Sequence, residues 1–265
     1  MAARPEGTPC WADATFADLP AAKQFYAEVL GWTFAEGAPE YGGYTQALKD
    51  GKAVGALVPP MPGQQQGPSA WTLYFASPDV TATAEKVRAA GGTVLLEPMP
   101  VGPLGSMALA QDPAGVVFGV WQAGEHEGFE LRDVTGTYGW AEVFTRDTAA
   151  ANSFFPRVFP YRVQRMLDEN VDYSVYSLGD EQVLGSMGMT PQVPAEVPPF
   201  INVHFIVADC DAAVAKVTEL GGQVVFGPMT SPFGRFASVV DPQGAPFSVI
   251  DPAAAEGERP TLADS

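Results

Sequence analysis

The sequence predicts an α+β protein assembled from four successive βαβββ units. Three observations predict it. First, the chain repeats itself: Trp11-Ala12-Asp13 returns as Trp140-Ala141-Glu142, 129 residues later (140 − 11), and the match holds at an offset of 129 or 130 nearly end to end. Second, an aspartate suited to capping a helix opens the helical stretch of every quarter: Asp18, Asp79, Asp147 and Asp209. Third, each half closes on the same tight turn, DPAG from Asp112 and DPQG from Asp241, just ahead of a last apolar strand.

The repeat sets the domain plan. Phe25-Tyr26 answers to Phe154-Phe155, Tyr44 to Tyr173, Gly91-Gly92 to Gly221-Gly222 and Gly105 to Gly234. The halves are read as 8–122 and 137–251, joined by a Gly- and Glu-rich linker over 123–136 and followed by a flexible acidic tail over 252–265.

In the first quarter a strand is expected over about 10–17, where Trp11, Asp13 and Thr15 share one face by alternation. Asp18 caps the helix that follows; Phe25, Tyr26, Val29 and Leu30 form its apolar stripe, and Gly31 stops it. Strands near 42–48 and 53–58 complete the unit. The second quarter runs through a strand at 71–77, a helix from Asp79 to Gly91-Gly92, and strands near 93–97, 106–111 and 116–121. The third and fourth quarters copy the plan. Pro156 falls inside the third helix, where it removes a hydrogen bond and is expected to bend or shorten it.

Composition bounds the function. The chain has 265 residues, 46% hydrophobic, with a formal net charge of −17. Such an acidic surface argues against nucleic acid and against an anionic membrane as partners. No run of eighteen apolar residues appears, the start does not read as a signal peptide, and Cys10 and Cys210 form no CxxC, so a cytoplasmic protein with free thiols is expected. Motifs for dinucleotide binding, P-loops, nucleophile elbows and HExxH zinc sites are absent.

The four units, the Asp-opened helices, the Phe-Tyr…Leu-Gly-Trp end of the first helix (25–32) and the DPxG turns resemble the vicinal oxygen chelate superfamily, the glyoxalase / bleomycin-resistance / extradiol-dioxygenase group, in its tandem two-domain glyoxalase-like form. The resemblance covers about 8–251. It implies that pairs of units curl into cup-shaped mixed sheets, two cups in all, and that each cup takes a small molecule.

The resemblance also implies where a metal would sit. Metal-dependent members carry His, Glu or Gln seven residues before the helix-opening Asp, and Glu seven residues after the Asp of DPxG. Here those positions hold Trp11, Thr72, Trp140 and Asn202, then Gly119 and Ser248. A divalent ion needs several His or carboxylate ligands converging on one point, and only two histidines exist, His126 in the linker and His204. No metal and no cofactor are therefore expected.

What replaces the ligands defines the candidate site. Trp11 and Trp140 offer an aromatic platform for a planar guest, or plugs for abandoned metal positions. Asp13 and Glu142 share their faces; burial would raise such carboxylates and suit them to acid or base work, the alternative being a bond to neighbouring strands. His204 shares a face with Asn202 and can shuttle a proton; its first-half counterpart is Tyr74, beside Thr72. Tyr44, Tyr173 and Tyr176 are expected on cup walls, and Leu104 and Phe233 on loops that fold over a guest as lids. Cys10 points away from the cup, into the core.

Two pairings of units are open: adjacent units, which sets Trp140 and Glu142 opposite Asn202 and His204, or first with fourth, which sets Trp11 and Asp13 there. The functional expectation is metal-independent binding, or sequestration in resistance, of a small aromatic or hydrophobic metabolite. The alternative is a metal-independent lyase, isomerase or hydroxylase-like enzyme using Glu142 or Asp13 with His204 as acid and base. A scaffold that serves only partner contacts is a third reading. Four units in one chain suit a monomer or a homodimer.

Overall fold

The computed structural model describes residues 4–60, 69–168 and 171–264. The first unit is β1 (Pro9–Thr15), α1 (Leu19–Leu30), β2 (Thr33–Phe34), β3 (Thr45–Lys49) and β4 (Lys52–Val58); the second is β5 (Trp71–Ala76), α2 (Val80–Ala89), β6 (Thr93–Val101), β7 (Gly105–Gln111) and β8 (Val117–Ala123). The third is β9 (Tyr138–Thr145), α3 (Thr148–Val158), β10 (Arg162–Met166), β11 (Tyr173–Leu178) and β12 (Glu181–Gly188). The fourth is β13 (Phe200–Ile206), α4 (Cys210–Glu219), β14 (Gln223–Ser231), β15 (Gly234–Val240) and β16 (Pro246–Asp251), after which β17 (Leu262–Asp264) ends the chain.

Each helix starts as its sequence dictates. The carboxylates of Asp18, Asp79, Asp147 and Asp209 accept from backbone N–H groups of the first turn, satisfying donors that a helix start leaves unpaired. Gly31 ends α1 in the left-handed conformation at φ 70°, a geometry that glycine adopts without steric cost. Helix α3 contains Pro156 yet continues to Val158, then ends on an extended Phe159 rather than a left-handed cap.

Adjacent units share a sheet. The first two make the order β2-β3-β4-β1-β5-β8-β7-β6, and the last two make β14-β15-β16-β13-β9-β12-β11-β10-β17. In the second sheet β9 and β13 are antiparallel, with Glu142 in register with Asn202 and Trp140 with His204. The equivalent pairing of β1 with β5 sets Trp11 beside Tyr74 and Asp13 beside Thr72. The first and fourth units meet through their helices instead: Tyr26 of α1 donates to Asp241 of the fourth unit's DPQG turn at 2.9 Å and packs against Phe247. Helix α3 reciprocates, its Phe154 and Phe155 lying against Phe118. The helix-bearing faces of the two sheets thus enclose one continuous aromatic core, in which Cys10 is 1% exposed. By alternation the residues between these core positions face the other way, into the cups.

The two segments outside the repeats are folded onto it. In the linker, Phe129 is buried and its N–H donates to the Cys10 carbonyl, while Glu130 N–H donates to Ala53. The tail expected to be flexible instead supplies β17, which pairs with the edge of β10 at Arg165 and Ala263. The reason is an available row of edge donors and acceptors on β10, which a passing strand satisfies.

Candidate functional site

Each cup carries one hydrogen-bonded relay. In the first, Trp11 Nε1 donates to the Tyr44 hydroxyl at 2.6 Å, and that hydroxyl donates to Asp13 Oδ2 at 3.0 Å. Tyr74 reaches the other carboxylate oxygen at 3.4 Å. In the second, Trp140 Nε1 donates to the Tyr173 hydroxyl at 3.0 Å, and Tyr173 hydrogen-bonds Glu142. The strand pleat places each Trp and its carboxylate on one face, and the tyrosine arrives at the start of the third strand of the same unit: Tyr173 opens β11 and Tyr44 immediately precedes β3. Sequence alone set Tyr44 and Tyr173 on the walls; their bonds to both indole and carboxylate are what the structure adds.

The relays end differently. Where the first cup has Tyr74, the second has His204, whose Nε2 lies 3.1 Å from Glu142 Oε2 and 3.2 Å from Asn202 Nδ2. The Asn202 amide donates to Ser248 Oγ at 2.8 Å, and Ser248 lies 3.0 Å from Ser238 Oγ. A carboxylate can only accept from the ring, so Nε2 carries the proton in the neutral imidazole. This leaves Nδ1 as a buried atom with no partner, a deficit of about 1–3 kcal/mol that a donor on a guest would relieve.

The electrostatics diverge accordingly. Burial pushes Asp13 up to about 7, against the lowering effect of Tyr44 and Tyr74. Glu142 suffers the same desolvation, but the charge and hydrogen bond of His204, with Tyr173, bring it below its ordinary value. Burial also raises the hydroxyls of Tyr44, Tyr74 and Tyr173, reinforced by the neighbouring carboxylates, so they remain donors at neutral pH.

The metal positions are chemically and sterically reassigned. Among the described residues no three His, Cys, Asp or Glu side chains come together. The ring of Tyr74 lies across Gly119, so that a Cβ there would overlap it, and the Tyr173 hydroxyl covers Gly185 in the same way. The second cup offers two conventional donors, Glu142 and His204, already bonded to each other, and the first offers Asp13. Neither set fits a divalent ion.

Other expected site residues scatter. Thr72 stands in register with Asp13. Tyr176 is not on a cup wall: it is fully buried on the helix side, donating to Asn152 of α3 and stacking on Tyr161. Tyr173 and Tyr176 differ by an odd number of residues, so a strand sends them to opposite faces. Leu104 is half-buried, and its carbonyl accepts from Gly124 and His126 of the linker, which fixes its loop in place. Phe233 is 43% exposed beneath the Arg259 guanidinium rather than over a cup. The sequence places His126 in a Gly- and Glu-rich linker, yet its ring meets Trp11 edge-on at 4.4 Å and its carbonyl accepts from Trp121 Nε1. A shallow cleft of about 350 Å3 between Asn152, Tyr161, Arg162 and Asp264 opens on the helix side, away from both relays.

Paired βαβββ units with polar chemistry on the concave faces of two mixed sheets define a four-unit, two-cup protein of vicinal oxygen chelate architecture. The chain belongs to the Glyoxalase/Bleomycin resistance protein/Dioxygenase superfamily, whose model matches residues 11–120 and 137–249. It is 39% identical over 269 residues to the anthracycline biosynthesis protein DnrV of Streptomyces peucetius, covering 95% of this chain and 97% of that one. It is 39% identical over 253 residues to the putative glyoxylase CFP32 of Mycobacterium tuberculosis, covering 94% and 96%. Among solved structures, the Mn(II)-bound glyoxalase from Novosphingobium aromaticivorans superposes with a TM-score of 0.64 at 17% identity, covering 96% of this chain and 87% of that one. The 2,3-dioxygenase LapB from Pseudomonas sp. KL28 does so with 0.66 at 14% identity, covering 97% and 95%. These two likenesses show a shared fold. No helix among the described residues is long and apolar enough to cross a membrane.

Proposed function

We propose that the chain binds a small, planar, largely aromatic metabolite in a cup of this fold without a divalent ion, in a sequestering or biosynthetic role. One observation carries the reading: indoles stand where the resemblance puts metal ligands, and each donates its N–H to a tyrosine that also bonds a carboxylate. An aromatic floor edged by a fixed polar group suits stacking on a ring system with polar substituents. The relative named for anthracycline biosynthesis supports this choice of guest, because anthracyclines are planar polycyclic aromatics.

Native mass spectrometry of protein purified from its own host tests it. The expected result is an added mass of a few hundred daltons that denaturation releases and that is lost when the indole of the one cup holding it, Trp140 or Trp11, is replaced by alanine. Stoichiometric divalent metal instead would overturn the reading.

A second reading is favoured by the 3.1 Å contact between His204 and Glu142. A carboxylate that accepts from Nε2 orients the imidazole and leaves Nδ1 free to act as a general base. In this reading the chain is a lyase, isomerase or hydroxylase-like enzyme. Turnover of the bound compound that His204→Ala abolishes, with binding retained, would establish it.

A further inference from the structure

The two cups are built on one plan, yet the chain treats their mouths differently. After β8 the linker turns back over the first cup. Gly124 and His126 donate to the Leu104 carbonyl, Glu125 to Pro103, and Phe129 to Cys10. These bonds press two rings onto Trp11: His126 at 4.4 Å and Phe129 at 5.5 Å. Trp11 is left 4% exposed, and Trp121 is tied to the same segment through its indole N–H. The segment is not a passing loop but an occupant: His126 sits edge-on and Phe129 tilted against the indole that an aromatic guest would need.

The same stretch of the repeat does something else in the second half. At the offset of 129, His126 answers to Ala255 and Phe129 to Glu258, both exposed. The tail contributes no ring to the second cup; its Arg259 lies over Phe233 outside it. Trp140 keeps partial exposure. The cup also gains aromatic lining: Phe236, facing His204 at a centroid distance of 6.5 Å, stands where the first cup has Met107, and Phe226 extends the wall at 5.9 Å from Phe236. Phe226 is 50% exposed, a cost in water that a planar guest would remove.

We infer that the second cup alone is the binding site, one guest per chain, and that the first is a permanently filled copy whose ligand is the chain's own 124–130 segment. The inference rests on the aromatic-guest reading above and assigns it to Trp140, Tyr173, His204 and Phe236. The guest's chemistry follows: a fused-ring phenol, its rings between Trp140 and Phe236 and its hydroxyl, which can donate or accept, hydrogen-bonded to the unpaired Nδ1 of His204.

Titration with 1,8-dihydroxyanthraquinone, followed by calorimetry, tests the assignment. One equivalent is expected. Trp140→Ala and the space-filling Ser238→Trp should each weaken binding by about tenfold or more, Trp11→Ala should leave it within about twofold, and His126→Ala should keep the first equivalent. Two equal equivalents, or one that Trp11→Ala removes and Trp140→Ala spares, would overturn it. A second measurement needs no ligand. Acrylamide quenching of tryptophan fluorescence should lose its accessible component in Trp140→Phe and keep it in Trp11→Phe. Equal quenching of both indoles would refute the filled first cup. If the anthraquinone fails to bind while quenching stays asymmetric, the choice of guest is wrong and the assignment of the open cup stands.

Discussion

Asp13 and Glu142 occupy the same point in two copies of one unit, and the protein shifts them in opposite directions from the ordinary carboxylate value. Burial, only partly offset by hydrogen bonds from Tyr44 and Tyr74, lifts Asp13 to about 7. Glu142, equally desolvated, is brought down because His204 stands 3.1 Å away. Across the strand pair Asp13 meets Tyr74 where Glu142 meets His204, and the imidazole turns the balance downward at Glu142.

The raised Asp13 makes stability depend on pH with a defined sign. The folded chain holds this proton more tightly than the unfolded chain, so the contribution is complete in acid and is lost as pH rises toward about 7. Asp13→Asn removes the dependence. Its melting temperature relative to the parent should rise between pH 4 and 8, by up to about 1.4 kcal/mol of stability per pH unit. Parallel profiles for the two proteins would show that Asp13 ionises normally.

Glu142 has the opposite sign. Its lowered folded value stabilises above the ordinary carboxylate range and is lost as pH falls through the folded value. His204→Ala leaves the carboxylate buried beside Tyr173 without its ring partner and should cost about 3 kcal/mol in urea denaturation, more than Glu142→Gln. Costs that simply add in the double variant would mean the pair carries no coupling.

Gly119 is required by a ring rather than by a turn. A Cβ there would overlap Tyr74. Gly119→Ala should cost about 3 kcal/mol, and Tyr74→Ala in the same chain should recover part of it. A double-mutant cycle with coupling near zero would place the strain elsewhere.

Ending the chain at Ala255 removes β17 and bares the edge of β10. The truncated protein should melt a few degrees lower and show concentration-dependent association by light scattering, because an unprotected edge templates pairing. A monomer of unchanged stability would show that β17 is dispensable.

The fold was legible because its signals are local and repeated: four capping aspartates, two DPxG turns and an unbroken offset. The concave-face residues were legible from alternation, which also fixed Cys10 as core. The same alternation, through the odd spacing from Tyr173, sends Tyr176 to the helix side. The choice between unit pairings lay in strand register, which both arrangements satisfy equally in sequence. His126 was illegible for another reason. Its segment carries Gly and Glu in the manner of a linker, and its place over Trp11 comes from backbone bonds to Leu104 and Cys10, to which no side-chain pattern points.

The ring of Tyr74 over Gly119 also constrains what the chain can become. A carboxylate at 119, the residue type metal-dependent relatives carry there, cannot be introduced while the tyrosine remains. Removing the tyrosine first strips Asp13 of one of its two hydroxyl partners. Recovering a metal centre would also require Trp11 to give up its place in the relay. Each of these steps breaks a contact that the chain now makes, so a metal centre at this point could be reached only through several changes made together.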